Sequence, residues 1–184
     1  MSKKHLQLAQ NQQESHAIPE TIYPWMVLFH ASWLLCCVSE VYFLNRPFLP
    51  AMGTLMIFCW LTTCVGRIWM LRTMKESWNV RIVHNPKQTV ITKGPYRYIR
   101  HPNYVIVAIE IFCIPMIHTA YLTAVTGTCL NALLIWYRLR KEETYLTSLP
   151  EYRKKMEHLP RFIPDQFTKL IQQYCSKHIK ILKK

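Results

Sequence analysis

Two long apolar blocks set between basic ones constrain this chain more than any other feature. From Ile22 to Leu71 only Glu40, Arg46 and Arg67 are charged, and from Asn103 to Tyr137 only Glu110 is. The chain holds 23 Lys and Arg against 10 Asp and Glu, a formal charge of +13, and nearly all of that excess lies outside the two blocks. A nucleic-acid binder would group its basic residues on a soluble fold with readout elements. Segregation of charge from long apolar runs instead describes a membrane protein.

Composition excludes further classes. The four glycines, Gly53, Gly66, Gly94 and Gly127, are spaced too far apart for a phosphate-cradling loop. Six of the seven cysteines fall inside the apolar blocks, none is spaced as C-x-x-C, and no H-E-x-x-H occurs. They read as small core hydrophobes, and no metal site is expected.

The blocks divide into four spans. Ile22 to Leu44 is long enough to cross roughly 30 Å of hydrocarbon. Asn45-Arg46-Pro47 ends it, and Phe48 to Leu71 makes a second span. Asn103 to Tyr137 is interrupted around Pro115 to Ala120, where Pro115 removes a backbone donor and with His118 marks a bend. That segment predicts two shorter helices in a hairpin. The fold expected is all-α, an integral membrane protein of about four transmembrane helices with a cytosolic loop and a C-terminal helical segment. Counted by loop, 21 of the 23 basic residues fall on one side of such a bundle. The positive-inside rule makes that side cytosolic, with both termini.

Residues 1–20 are polar and Gln-rich and read as a flexible cytosolic tail, although Lys3 and Lys4 resemble a signal-peptide start. The apolar block that follows is too long for an h-region and no small-residue cleavage site follows it. Residues 21–164 form the membrane domain, with its catalytic part at about 80–164, and residues 165–184 form a basic amphipathic tail. There Phe167, Leu170, Ile171, Tyr174, Ile181 and Leu182 recur at helical spacing among lysines. Such a helix either lies on an anionic leaflet or packs on the cytosolic domain.

Chemistry concentrates in VITKGPYRYIRHPNY, residues 90–104, where Gly94-Pro95 signals a turn. Tyrosines and arginines at a membrane interface serve as headgroup anchors. That accounts for Arg97 or Tyr98, and not for a helix opening on His101-Pro102-Asn103-Tyr104. A second charged cluster, Arg138, Arg140, Lys141, Glu142 and Glu143, closes the same hairpin. Folding the hairpin brings both clusters together as a polar pocket half sunk in the bilayer. The simpler reading of Arg138 and Glu142 is an i,i+4 ion pair worth about half a kcal/mol.

RHPNY, a hydrophobic stretch, the Glu142-Glu143 pair and the trailing EYRKKMEHLPRFIP together resemble the isoprenylcysteine carboxyl methyltransferase family over roughly Trp60 to Pro164. The resemblance implies a membrane enzyme using S-adenosylmethionine, and phospholipid methyltransferases share the general pattern. By position it implies that His101, Pro102, Asn103 and Tyr104 form the cofactor segment. Tyr96 resembles a tyrosine lying against the cofactor, Glu142 the carboxylate that holds it, and Arg138 the arginine facing the substrate. Gln88, Thr89, Val90 and Ile91 occupy the place of a cofactor-lining strip. No residue is assigned as an acid or base.

The acceptor expected is a lipophilic molecule entering from the bilayer. A lipid enol or phenol of the alkylpyrone or alkylresorcinol type is favoured, as in small bacterial members of the family. Prenylcysteine carboxylate is the alternative, phospholipid amine a third, and a non-enzymatic membrane adaptor the competing class. Membrane lipids are expected partners and nucleic acid is not. Two carboxylates inside the spans carry readings of their own, because charge there is costly. Glu40 sits near the outer end of its span, where it could reach water. Glu110 either pairs with Arg67 or lines a substrate tunnel.

Overall fold

The computed structural model describes residues 22–74, 90–165 and 167, together with the short strands His16–Ala17 and Val83–His84. Five α-helices make up nearly all of it: α1 (Tyr23–Phe43), α2 (Pro50–Met74), α3 (Pro102–Met116), α4 (Tyr121–Ser148) and α5 (Pro150–Met156). A 3-10 turn at Gly94–Arg97 precedes α3. The strands form one antiparallel pair in which His16 faces His84 and Ala17 faces Val83. His16–Ala17 lies within the segment read from sequence as a loose tail. The rest of residues 1–21, and of 165–184 apart from Asp165 and Phe167, lies outside the described residues.

The helices start and stop where proline and turn chemistry direct. Pro24, Pro95, Pro102 and Pro150 stand in the first turns of their helices, where the missing N–H has no intrahelical partner to lose. Asn45 ends the α1 region with a positive φ of 46°, which asparagine tolerates. Helix α3 ends one residue beyond Pro115, and a four-residue turn with Thr119 at φ 54° leads into α4. Gly94 takes a φ of 58°, and a Cβ there would overlap the Thr73 side chain, so glycine is required on both counts.

Helix α3 packs between α2 and α4, and α1 packs on α4. The turns after α1 and after α3 meet at one end of the bundle. There Thr119 Oγ1 donates to the Pro47 carbonyl at 2.9 Å, and the Phe48 and His118 rings lie 5.3 Å apart. In the bundle, Gly127 of α4 lies against the Trp33 indole of α1 and Ile111 of α3, a closeness that no larger residue would allow. Two helices, α1 and α2, are long and apolar enough to cross a membrane. Both helices expose large apolar side chains, among them Leu35, Val38, Phe58 and Val65, which water would not favour.

Both carboxylates within the apolar helices are paired. Glu40 is 7 % exposed and does not reach water as the sequence suggested. It binds Arg46 at 2.8 Å and accepts the backbone N–H groups of Leu122 and Thr123 at 3.1 and 2.7 Å. It thus caps the first turn of α4 from a neighbouring helix, where the orphan donors and the helix dipole favour a negative charge. Glu110 of α3 pairs with Arg67 of α2 and accepts the Thr63 hydroxyl at 3.3 Å. Pairing, one of the two readings made for Glu110, is what the structure holds.

Candidate functional site

The start of α3 and the last turns of α4 lie side by side. Tyr104, in the first turn of α3, donates its hydroxyl to Glu142. His101, just before that helix, is 4 % exposed and sits between the two glutamates. Its Nε2 is 3.2 Å from Glu143 Oε1 and its Nδ1 4.0 Å from Glu142 Oε1. Burial lowers its pKa against the pull of both carboxylates, so the ring is neutral near pH 7. Backbone bonds hold the segment down: Arg100 N–H reaches the Pro160 carbonyl at 3.0 Å, and His101 N–H the Arg161 carbonyl at 3.1 Å.

Glu143 ties three chain segments together. It meets Arg100 at 3.2 Å, His101, and Arg161 through a two-pronged contact at 3.0 and 2.7 Å. Burial alone would raise its pKa, but the hydrogen bonds from Arg161 and His101 and the charge of Arg100 hold it below the usual glutamate range. Glu143 is therefore ionised, and it draws the segment after α5 over the start of α3. Phe162, next to Arg161, places its ring 6.3 Å from that of His101.

Two cavities flank this junction. The first, of about 130 Å³, is lined by Met74, Val90, Ile91, Tyr96, Arg100, Glu142 and Tyr152, among others. Arg100 Nε and the Tyr152 hydroxyl are buried in its wall, each without a well-directed hydrogen bond among the described residues, and the Arg100 guanidinium stands beside that hydroxyl. Burial, with the field of Glu142, pushes the Tyr96 hydroxyl well above its usual range, and it donates to Met74 Sδ at 2.9 Å. Burial likewise pushes Tyr152 up to about 12 against the pull of Arg100. Both tyrosines are neutral hydroxyls, present as donors and as aromatic faces. A carboxylate, two aromatic rings and hydrogen-bond donors suit a ligand that is cationic at one end and polar at the other.

The second cavity, of about 400 Å³, lies between α3 and α4 and is almost wholly apolar. Tyr104, Val105, Ile109, Leu139, Phe162 and Ile163 form much of its wall. Tyr104 thus faces it while bonding to Glu142 of the first cavity.

Of the residues singled out from sequence, Tyr96, Val90, Ile91 and Glu142 line the first cavity, and His101 and Tyr104 stand at its junction with the second. Pro102 is buried as the opening residue of α3. Asn103 points elsewhere, its Oδ1 3.5 Å from Arg67 Nη1. Arg138 lines neither cavity, and its guanidinium meets Met26 Sδ of α1 at 3.5 Å. Gln88 and Thr89 lie outside the described residues. Arg100, Tyr152 and Arg161 were not singled out, and Glu143 was noted only as a member of the glutamate pair, without a role. All four stand inside the motif stretches already noted, and only the folded geometry distinguishes them from neighbouring charges.

Comparison with known proteins agrees with this arrangement. The chain is 32 % identical over 137 residues to the uncharacterized protein YpbQ of Bacillus subtilis (strain 168), covering 74 % of this chain and 79 % of that one. It is 28 % identical over 82 residues to an uncharacterized protein of Haemophilus influenzae, covering 44 % of this chain and 48 % of the other. Residues 54–148, which hold the histidine segment, the glutamate pair and the helices that bring them together, match the model of one family. This chain belongs to the isoprenylcysteine carboxyl methyltransferase family.

Proposed function

We propose that the protein is an integral membrane methyltransferase that carries a methyl group from S-adenosylmethionine to an oxygen of a lipophilic acceptor. In this reading α1 to α4 cross the membrane, with α3 and α4 as a hairpin, and the termini and site face the cytosol. The observation that carries it is the junction of a polar and an apolar cavity across the hydrogen bond between Tyr104 and Glu142. Family membership supports the reaction class.

S-adenosylmethionine supplies the activated methyl group as a sulfonium. The chain's residues bind and orient. Glu142 accepts hydrogen bonds from the cofactor's ammonium or ribose hydroxyls, and the rings of Tyr96 and Tyr152 offer faces to a cation. Arg100 Nε and the Tyr152 hydroxyl donate to polar atoms of the bound molecule. His101, neutral and buried, keeps the glutamate pair and the start of α3 in register. The apolar walls of the second cavity hold the acceptor's tail and exclude water from the transfer.

An alkylresorcinol or alkylpyrone fits this division best, because its tail suits an apolar cavity and its oxygen is methylated as the anion, the acidic pyrone enol being ionised near neutral pH and the phenol first giving up its proton to water. A prenylcysteine carboxylate calls for a facing cation such as Arg138, which here turns toward Met26. Incubating the purified protein with methyl-labelled S-adenosylmethionine and either pentadecylresorcinol or an S-farnesylcysteine tests the assignment. Label extracted with the resorcinol supports it, and label on the farnesylcysteine alone selects the second acceptor. No label on either lipid excludes both acceptors, and a parent that in addition binds no S-adenosylmethionine contradicts the enzyme reading and favours a membrane adaptor.

A further inference from the structure

Two cations stand where the apolar part of α4 ends. Arg140 and Lys141 are exposed, and neither meets a carboxylate among the described residues. The next two residues are glutamates, but Glu142 takes the Tyr104 hydroxyl and Glu143 holds Arg100, His101 and Arg161. Arg140 and Lys141 instead fold back one turn. The Arg140 guanidinium lies 4.3 Å from the centroid of the Trp136 ring, and the Lys141 ammonium 4.7 Å from that of Tyr137. Both rings are themselves exposed, 54 % and 40 %. Leu133, three and four residues before them, and Leu130, three before that, are exposed as well. At such spacing the four side chains share one side of the helix. This is an apolar face capped by two positive charges.

We infer that this face of α4 docks an anionic phospholipid of the cytosolic leaflet, its phosphate on Arg140 and Lys141 and an acyl chain along Leu130 and Leu133. Long basic side chains at the end of a span reach out toward water when nothing holds them. Helical side chains slant toward the helix start, and α4 runs from the outer surface to the cytosol in the proposed orientation. Stacking on Trp136 and Tyr137 therefore keeps both charges at the boundary between headgroups and hydrocarbon, the level where Trp and Tyr rings settle. A stacked guanidinium still presents its N–H edge, which suits a phosphate. Charge then selects among lipids. A zwitterionic headgroup brings no net charge to the two cations, whereas an anionic one neutralises them. Trp136 also lines the apolar cavity, so a lipid docked here borders the place proposed for the acceptor's tail. The inference rests on the methyltransferase reading for the placement of α4 in the membrane, and not for the reaction.

Quenching of Trp136 fluorescence by brominated lipids tests it without turnover. Protein is reconstituted in nanodiscs of phosphatidylcholine with increasing shares of phosphatidylglycerol, the bromine being carried on the chains of one lipid or the other. Trp136→Phe identifies the signal of that ring. Phosphatidylglycerol is expected to bind beside Trp136 roughly five-fold more tightly than phosphatidylcholine, or better, since each cation near the surface contributes about that factor. Arg140→Gln with Lys141→Gln should bring the ratio to unity, and Arg140→Lys with Lys141→Arg should keep most of the preference. Arg140→Gln alone, expected to lose part of it, carries the test should the double glutamine variant fail to fold. Equal quenching by both lipids in the parent, or a preference that survives the double glutamine variant, would overturn the site. A preference that inorganic phosphate removes at constant ionic strength would overturn the lipid in favour of a soluble anion. Quenching by neither lipid would overturn it too. Particle mass then separates a second copy seated on this face from a helix outside the bilayer, and only the latter also fails the membrane reading. Calorimetry with S-adenosylmethionine on the same samples separates the remaining claim. A parent that prefers the anionic lipid but binds no cofactor fails the methyltransferase reading and keeps the docking site.

Discussion

Tyr104 and Glu142, 38 residues apart in sequence, are joined by a hydrogen bond that closes the inner wall between the polar and apolar cavities. A hydrogen bond to a charged group is worth about 1.5–3 kcal/mol. Tyr104→Phe should keep the fold, because the ring still packs beside His101, 5.5 Å away. It should weaken S-adenosylmethionine binding by roughly ten-fold, measured by calorimetry. Combined with Glu142→Gln the losses should be less than additive, since both act through one bond. Full additivity would show that the two residues act separately.

Glu143 holds Arg100, His101 and Arg161. Glu143→Ala should lower thermal stability in detergent by about 2–3 kcal/mol, because the largely buried Arg100 loses its counter-charge, while the exposed Arg161 adds little. It should also expose the segment around Phe162 to protease. Unchanged melting would show that this clamp contributes nothing to the fold.

The pH dependence follows from the same cluster. Glu143 is held below the usual glutamate value of 4.5, so its contribution is complete above that value and is lost as pH falls through the lower folded one. His101 is held below 6.5 by burial, so the folded state resists its protonation and stability also declines as pH drops below 6.5. Both effects run the same way. Stability followed from pH 7.5 downward should begin to fall below about 6.5, and Glu143→Gln should remove only the more acidic part of that fall.

Arg67 and Glu110 form a pair inside the apolar region that also steadies Asn103. Arg67→Met leaves a bare carboxylate and should destabilise by about 3–5 kcal/mol. Arg67→Met with Glu110→Met should recover most of that loss. Failure of the double variant to recover would mean that the pair does more than neutralise itself.

Glu40 caps α4 from α1. Glu40→Ala should cost about 1–2 kcal/mol through the lost cap, with further loss from the stranded Arg46 guanidinium. Lipid methylation per folded molecule should stay unchanged, since Glu40 lies at the opposite end of the bundle from Glu142. Reduced turnover in fully folded protein would refute that separation.

Much of this was legible before any coordinates. The apolar blocks marked α1, α2, α3 and the start of α4 to within a few residues, because proline and asparagine punctuate them at Asn45, Pro102 and Pro115, whereas α4 continues past the apolar block at Tyr137 to Ser148. The convergence of His101 and Tyr104 with the glutamate pair followed from folding one helix back on the next. The fate of Glu40 was not legible, since the N–H groups it caps lie 82 and 83 residues away. Nor was the contact of Arg138 with Met26, 112 residues away. Arg100, Tyr152 and Arg161 were hidden among other basic and aromatic residues that look the same in sequence.

The central claim is that the cavity bounded by Tyr96, Glu142 and Tyr152 holds S-adenosylmethionine. Calorimetry on detergent-purified protein, with Glu142→Ala and His101→Ala alongside, tests it most directly. The account predicts saturable binding by the parent, weakened at least ten-fold in Glu142→Ala and to a lesser degree in His101→Ala. A well-folded parent that shows no binding at millimolar cofactor, or one whose affinity survives both substitutions, would contradict it.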